Sequence, residues 1–119
     1  MMSSEEKLLS TLGLCARARK LVMGTPMVCE AMRYKKTPVI AVLEASDTSD
    51  NTHKKLSDKC AFYGVPLYRI AADTARLGRA VGKTGAVAAV GVTDVNLYNA
   101  LERHLQREAS EDPRNRTNE

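Results

Sequence analysis

The residues with the clearest chemical potential lie in the stretch RKLVMGTPMVCEAMRYKK, residues 19–36. Thr25 is suited to cap a helix, its hydroxyl accepting a bond from a free backbone N–H one turn in. Pro26 suits the first helical position, where a missing N–H costs nothing. Gly24 lets the chain turn sharply and leaves no side chain in front of the helix end. Cations stand on both sides: Arg17, Arg19 and Lys20 before the turn, Arg33, Lys35 and Lys36 after it. Free N–H groups and the helix dipole both favour negative charge, so this frame suits an anionic partner. Ordinary surface helices share these features, and the pattern alone does not fix a ligand.

Other chemistries find less support. GKTG at residues 82–85 invites a phosphate-loop reading, but Leu77 stands where that motif needs its first glycine, and Gly78 comes one place late. The order is also reversed, since the pattern predicts a helix before GKTG and a strand after it. His53 and His104 have no serine, cysteine or carboxylate placed by sequence to form a relay, although neighbours in space are not legible. Asp47, Asp50 and Asp58 read as caps and surface charges, with Lys54 and Asp58 spaced to pair on one helix face. Cys15, Cys29 and Cys60 are odd in number, widely spaced and set in apolar helical patterns, as small core residues of a reducing compartment would be. We expect no catalysis, no metal and no cofactor.

A chain of 119 residues is most simply one domain with its own core. No apolar run approaches the roughly 18 residues of a membrane helix, and the start does not resemble a signal peptide, so a cytoplasmic protein without membrane contact is expected. The net charge of +4 conceals an asymmetry. Residues 1–93 carry 14 Lys and Arg against 8 Asp and Glu, a net +6; residues 94–119 carry 4 against 6, a net −2. The basic part fits an anionic partner such as nucleic acid.

The elements that must position these residues follow from periodicity. Leu8, Leu9, Leu12, Cys15 and Ala16 predict a helix from Glu5 to about Arg19. Leu21–Met23 predicts a short strand, and a helix follows from Pro26 to about Lys35. TPVIAVLEA reads as a strand covered on both faces. A helix is expected from about Asp50 to Tyr63, stopped by Gly64. VPLYRI predicts a strand, Asp73 opens a helix ending near Val81, AVAAVGV predicts another buried strand, and Thr93 or Asp94 caps a last helix to about Gln106 or Arg107. Alternating strands and helices give an α/β domain in three layers over residues 1–107. Residues 108–119, nearly devoid of apolar side chains, are expected to be a disordered tail. In the second helix, Val28, Cys29, Ala31 and Met32 should pack on the sheet, while Pro26, Met27, Glu30 and Tyr34 share the outer arc.

Three blocks carry a resemblance: GLCARARKLVMGTPMVCEAMR, NTHKKLSDKCAFYGVPLYRI and LGRAVGKTGAVAAVGVTD. With them the chain is similar, over most of residues 5–93, to the ribosomal-protein superfamily of archaeal L7Ae and eukaryotic L30e. Members of that superfamily bind kink-turn RNA, and the likeness is nearest to its short bacterial YlxQ-like branch. The resemblance implies an α/β/α sandwich with a mixed four-stranded sheet. It also implies an RNA surface made by the start of the second helix and the loop before the last strand.

Kink-turn binders carry Gly, then after one residue Asn or Lys, then Glu or Gln, and three residues later Lys. Here Gly24 matches and Thr25 is a residue found in some members, but Pro26, Met27 and Glu30 replace the three readers. Lys83 and Thr84 occupy the second RNA-facing loop, where binding members often present small apolar residues. A bidentate base contact is worth about 1–3 kcal/mol on DNA, a scale we carry to RNA. Losing three removes much of the roughly 4–10 kcal/mol that separates specific from non-specific binding, and Glu30 adds repulsion from phosphate. What survives is attraction of phosphates to Arg17, Arg19, Lys20, Arg33, Arg79 and Lys83, with Gly24 and Thr25 letting the helix start approach the backbone. The expected protein is therefore a monomeric, non-enzymatic binder of structured or ribosomal RNA with altered specificity. The alternative is a protein-interaction module of the translation apparatus, with Met27, Glu30 and Tyr34 as its contact patch.

Overall fold

The computed structural model describes residues 3–34 and 38–110, the last five as backbone. Along the chain run α1 (Ser4–Arg17), β1 (Leu21–Met23), α2 (Thr25–Tyr34), β2 (Ala41–Glu44), α3 (Asp50–Tyr63), β3 (Leu67–Arg69), α4 (Thr74–Ala80), β4 (Ala89–Val92) and α5 (Val95–Ser110). The strands form one mixed sheet in the order β1-β4-β2-β3. β4 pairs antiparallel with β1 and β2, and β2 pairs parallel with β3.

Helices cover both faces. On one side Leu8, Leu12 and Cys15 of α1, Leu77 of α4 and Leu101 and Leu105 of α5 pack against Leu43, Val90 and Val92. On the other, Val28 and Met32 of α2 and Leu56 and Cys60 of α3 pack against Val42 and Ala89. The alternation of Val42 with Leu43 and of Ala89 with Val90 is the period of two that sends successive strand residues to opposite faces. The three-layer α/β/α architecture and the mixed sheet therefore stand as read. Among the described residues no helix is long and apolar enough to cross a membrane.

Local chemistry accounts for the ends. Ser3 and Glu6 form a reciprocal capping box at α1, a signal the periodicity did not reveal. Asp73 caps α4, and Asp94 accepts the Leu97 N–H at 3.0 Å to open α5. Gly64, at φ 70°, ends α3. α5 runs to Ser110, beyond the expected end near Gln106 or Arg107, while 111–119 of the expected tail and Lys35 and Lys36 lie outside the described residues.

Three strands are shorter than expected: β2 keeps only Ala41–Glu44 of TPVIAVLEA, and the late starts of β3 and β4 have local causes. Pro66 has no N–H, and the Val65 N–H closes the end of α3 on the Cys60 carbonyl (2.9 Å), so β3 starts at Leu67. Before β4, the Val87 N–H turns away from the ladder to the Thr74 carbonyl (3.0 Å), so β4 starts at Ala89 rather than within the AVA run.

Candidate nucleic-acid interface

β1 delivers the chain to Gly24, whose φ of 92° lies in the region that glycine enters without a Cβ penalty. The Gly24 N–H donates to the Ala89 carbonyl (2.8 Å), and its own carbonyl accepts the Val28 N–H (2.9 Å). Gly24 is thus the residue from which α2 starts, which corrects the expected cap. Thr25 is already helical, its hydroxyl caps nothing, and Pro26 takes the second helical position. The reason is steric: a glycine turn lets the strand enter the helix without a side-chain cap. The Thr25 Oγ1 is buried and has no hydrogen-bond partner. Because the first intrahelical bond comes from Val28, and Pro26 has no N–H, the Thr25 and Met27 N–H groups are the donors at this helix end.

Beside the helix start lies the loop that leads from α4 to β4. It packs against α4 so closely that a Cβ on Gly78 would come 2.1 Å from the Gly85 carbonyl oxygen. The Lys83 N–H donates to the Gly78 carbonyl (2.9 Å) and the Val87 N–H to Thr74, fixing both ends of the loop on α4. The two segments enclose an open groove of about 390 Å³, walled by Met23–Pro26 on one side and Lys83–Ala88 on the other.

This groove gathers Gly24, Thr25, Pro26, Lys83 and Thr84 from the residues singled out above. Met27, 54% exposed, and Glu30 stand on the outer arc of α2 just beyond it, with Pro26 and Tyr34 also exposed as the helical projection requires. Five of the six cations do not line it. Arg19 and Lys20 precede β1, about 13 Å or more from Gly24 along a three-residue strand. Arg17 ends α1, its guanidinium near Gly13 and the end of α4. Arg79 lines a separate recess with Leu9, Arg76 and Ala80. Arg33 sits in the last turn of α2, about 12 Å further along the helix, its guanidinium 5.5 Å from the centre of the Tyr34 ring. Lys83 alone of the six is at the groove. The expected cationic frame is spread over the molecule, because β1 itself separates Arg17, Arg19 and Lys20 from Gly24 and the fold puts Arg79 in another recess.

Sequence reasoning missed Met23 and Gly85–Ala88, which line the groove mainly with backbone and small apolar groups. It also missed a pairing in space, correcting the reading of the histidines. His53 Nδ1 lies 2.8 Å from the Oε1 of Glu44, a fully buried carboxylate, and the Thr48 hydroxyl donates to the other oxygen. The signal available was a lone acid ending an apolar strand, which demands a polar partner once buried. The other side chains behave as structural groups. Lys54 and Asp58 pair at 3.0 Å, Asp47 accepts the Thr74 N–H at 2.8 Å, and burial pushes the Cys60 thiol up to about 11, with Cys29 and Glu44 adding to the effect.

A sheet sandwiched between helices, with a glycine-led helix start set against a glycine-pinned loop, defines an α/β/α module that presents a groove at one sheet edge. Residues 6–102 match the model of the Ribosomal protein L7Ae/L30e/S12e/Gadd45 family. The chain is 42% identical over 90 residues to the RNA-binding protein YlxQ of Bacillus subtilis (strain 168), covering 76% of this chain and 86% of that one. It is 32% identical over 80 residues to the RNA-binding protein YlxQ of Enterococcus faecium, covering 67% and 75%. Among solved structures, a Bacillus halodurans protein of unknown function superposes with a TM-score of 0.75 at 37% identity, covering 84% of this chain and 97% of that one. The Giardia lamblia 15.5kD RNA binding protein shares the fold, with a TM-score of 0.70 at 19% identity over 90% and 88% of the two chains. This chain belongs to the L7Ae/L30e/S12e/Gadd45 family.

Proposed function

We propose that the protein binds structured RNA through the groove between the start of α2 and the 83–88 loop, without reading kink-turn guanines as other family members do. One observation carries this reading: the N-terminal end of α2 and Lys83 wall the same open groove from its two sides. Helix-end N–H groups and a lysine suit phosphate oxygens, and the glycine turn admits a backbone close to the helix. Base discrimination is the weaker component, because Pro26 and Met27 offer no side-chain polar group and Glu30 opposes phosphate. Relatives named as RNA-binding proteins support the choice of ligand class. The proposed protein acts in the cytoplasm, as a monomer, on structured or ribosomal RNA.

A salt titration against a structured RNA hairpin tests this. Each phosphate contact contributes about −0.7 to −0.9 to the slope of log affinity on log salt, so a groove whose lining cation is Lys83 should give about −1. No measurable binding at low salt removes the proposal. It would leave the protein-docking alternative, for which Met27 and Tyr34, 54% and 63% exposed, supply the surface.

A further inference from the structure

Glu44 ends β2 on the sheet face that α2 and α3 cover, and it is fully buried. Its carboxylate is held by His53 Nδ1 at 2.8 Å and by the Thr48 hydroxyl. Thr48 is reached in turn by the Arg69 guanidinium (3.4 Å), which also donates to the Ser46 carbonyl (3.2 Å). The carboxylate therefore has the partners a buried charge requires. Packing alone does not need it, since an apolar side chain of similar volume fills such a place at no greater cost.

His53 differs from Glu44 in that it reaches the surface: 42% of its side chain is exposed. With Nδ1 engaged by Glu44, Nε2 is the ring nitrogen left for an outside partner. The pair also stands at the same end of the sheet as the groove. β1 and β2 both run antiparallel to β4, so both strands lead into their helices, α2 and α3, at the same end. Glu44 pairs with Ala89, whose carbonyl accepts from Gly24, and the Ala45 N–H donates to the Ala88 carbonyl (2.9 Å) in the groove wall. Glu44 and Gly24 are thus two strand spacings apart, about 10 Å.

We propose that His53, positioned by the buried carboxylate of Glu44, is a phosphate-binding residue of the RNA surface beside the groove. This rests on the RNA-binding reading above. In the complex the ring carries both protons, Nδ1–H donating to Glu44 and Nε2–H donating to a phosphate oxygen in a charge-assisted bond. The charged groups tied to the ring are Glu44 on β2 and, through Thr48, Arg69 on β3.

The test is a fluorescence-anisotropy titration of the full chain with a labelled kink-turn hairpin and a plain RNA duplex of equal length, at constant pH over a series of salt concentrations. His53→Gln should bind about threefold to tenfold more weakly than the natural protein, the scale of one charge-assisted bond partly offset by lost hydration, and its salt slope should shrink by about 0.7–0.9. His53→Arg should restore the affinity and the slope. Glu44→Gln should weaken binding to the level of His53→Gln, and if it fails to fold, the two His53 variants still decide the matter. Equal affinity and slope of the natural protein and His53→Gln overturn the assignment. So does a change confined to melting temperature, which marks a purely structural pair. Absence of any binding by the natural protein at low salt instead removes the RNA reading, and this assignment falls with it.

Discussion

At one end of the sheet β1 passes into α2 through Gly24, and the 83–88 loop folds back beside it; at the other, α1 turns into β1 through Arg19 and Lys20. The first end has shape: a groove fixed by the bonds from Gly24 to Ala89, Lys83 to Gly78 and Val87 to Thr74, but with little charge. The second has charge, from Arg19 and Lys20 side by side in the turn. Its turn holds Arg19 at φ 60° and is tied down by the Thr93 N–H and hydroxyl, which donate to the Lys20 carbonyl at 3.0 and 2.9 Å. Arg19 and Lys20 lie about 13 Å or more from Gly24, beyond the Debye length of about 8 Å at physiological salt. Cations at that range draw in a polyanion without gripping it, so contact energy must come from the groove end. The two ends should therefore respond differently to substitution.

The largest effect is expected where the groove is shaped. Gly78→Ala drives a Cβ into the Gly85 carbonyl, a backbone atom that no rotamer change can move aside. Overpacking of this kind costs about 1–3 kcal/mol, and displacement of the loop should lower RNA affinity at least about tenfold. Gly13→Ala serves as its counterpart away from the groove. Its Cβ would stop 3.0 Å from the Ala80 carbonyl, so stability should fall less and affinity should hold. Urea denaturation and anisotropy measured on both variants check the pair.

Next comes restoration of the reading residues. Pro26→Asn, Met27→Glu and Glu30→Lys together should raise affinity for a kink-turn over a plain duplex by about tenfold or more, the equivalent of about 1.4 kcal/mol. A triple variant that discriminates no better than its parent shows that α2 does not face the bases.

The smallest effects separate gripping from steering. Lys83→Ala should reduce the salt slope by about 0.7–0.9, the share of one phosphate contact. Arg19→Gly should leave the slope nearly unchanged while raising stability by up to about 1 kcal/mol, since glycine tolerates the left-handed conformation that arginine holds there. Equal slope changes for the two would erase the distinction between the ends.

Several elements were legible from the chain alone. α3 matches its predicted span because Asp50–Tyr63 is bounded by a serine cap and a glycine stop, and β1 matches Leu21–Met23. The outer arc of α2 was readable because helical geometry fixes which residues share a side. Illegible were the start of α2, where a glycine turn displaced the expected threonine cap, and the start of β4, where a bond to α4 drew Val87 out of the ladder. Both depend on partners far along the chain. The pairing of Glu44 with His53 was hidden for the same reason, since a loop of unknown course separates them.

By itself the sequence determined what is local and periodic: the order of helices and strands, their buried faces and the residue types at the start of α2, because these follow from backbone geometry over a few residues. Tertiary structure decided what meets what. It set Lys83 and the 83–88 loop against Gly24, and put a half-exposed histidine over a buried carboxylate. The physical reason is that sheet order and strand direction, which fix those distances, come from long-range hydrogen bonds and packing that spacing along the chain does not encode.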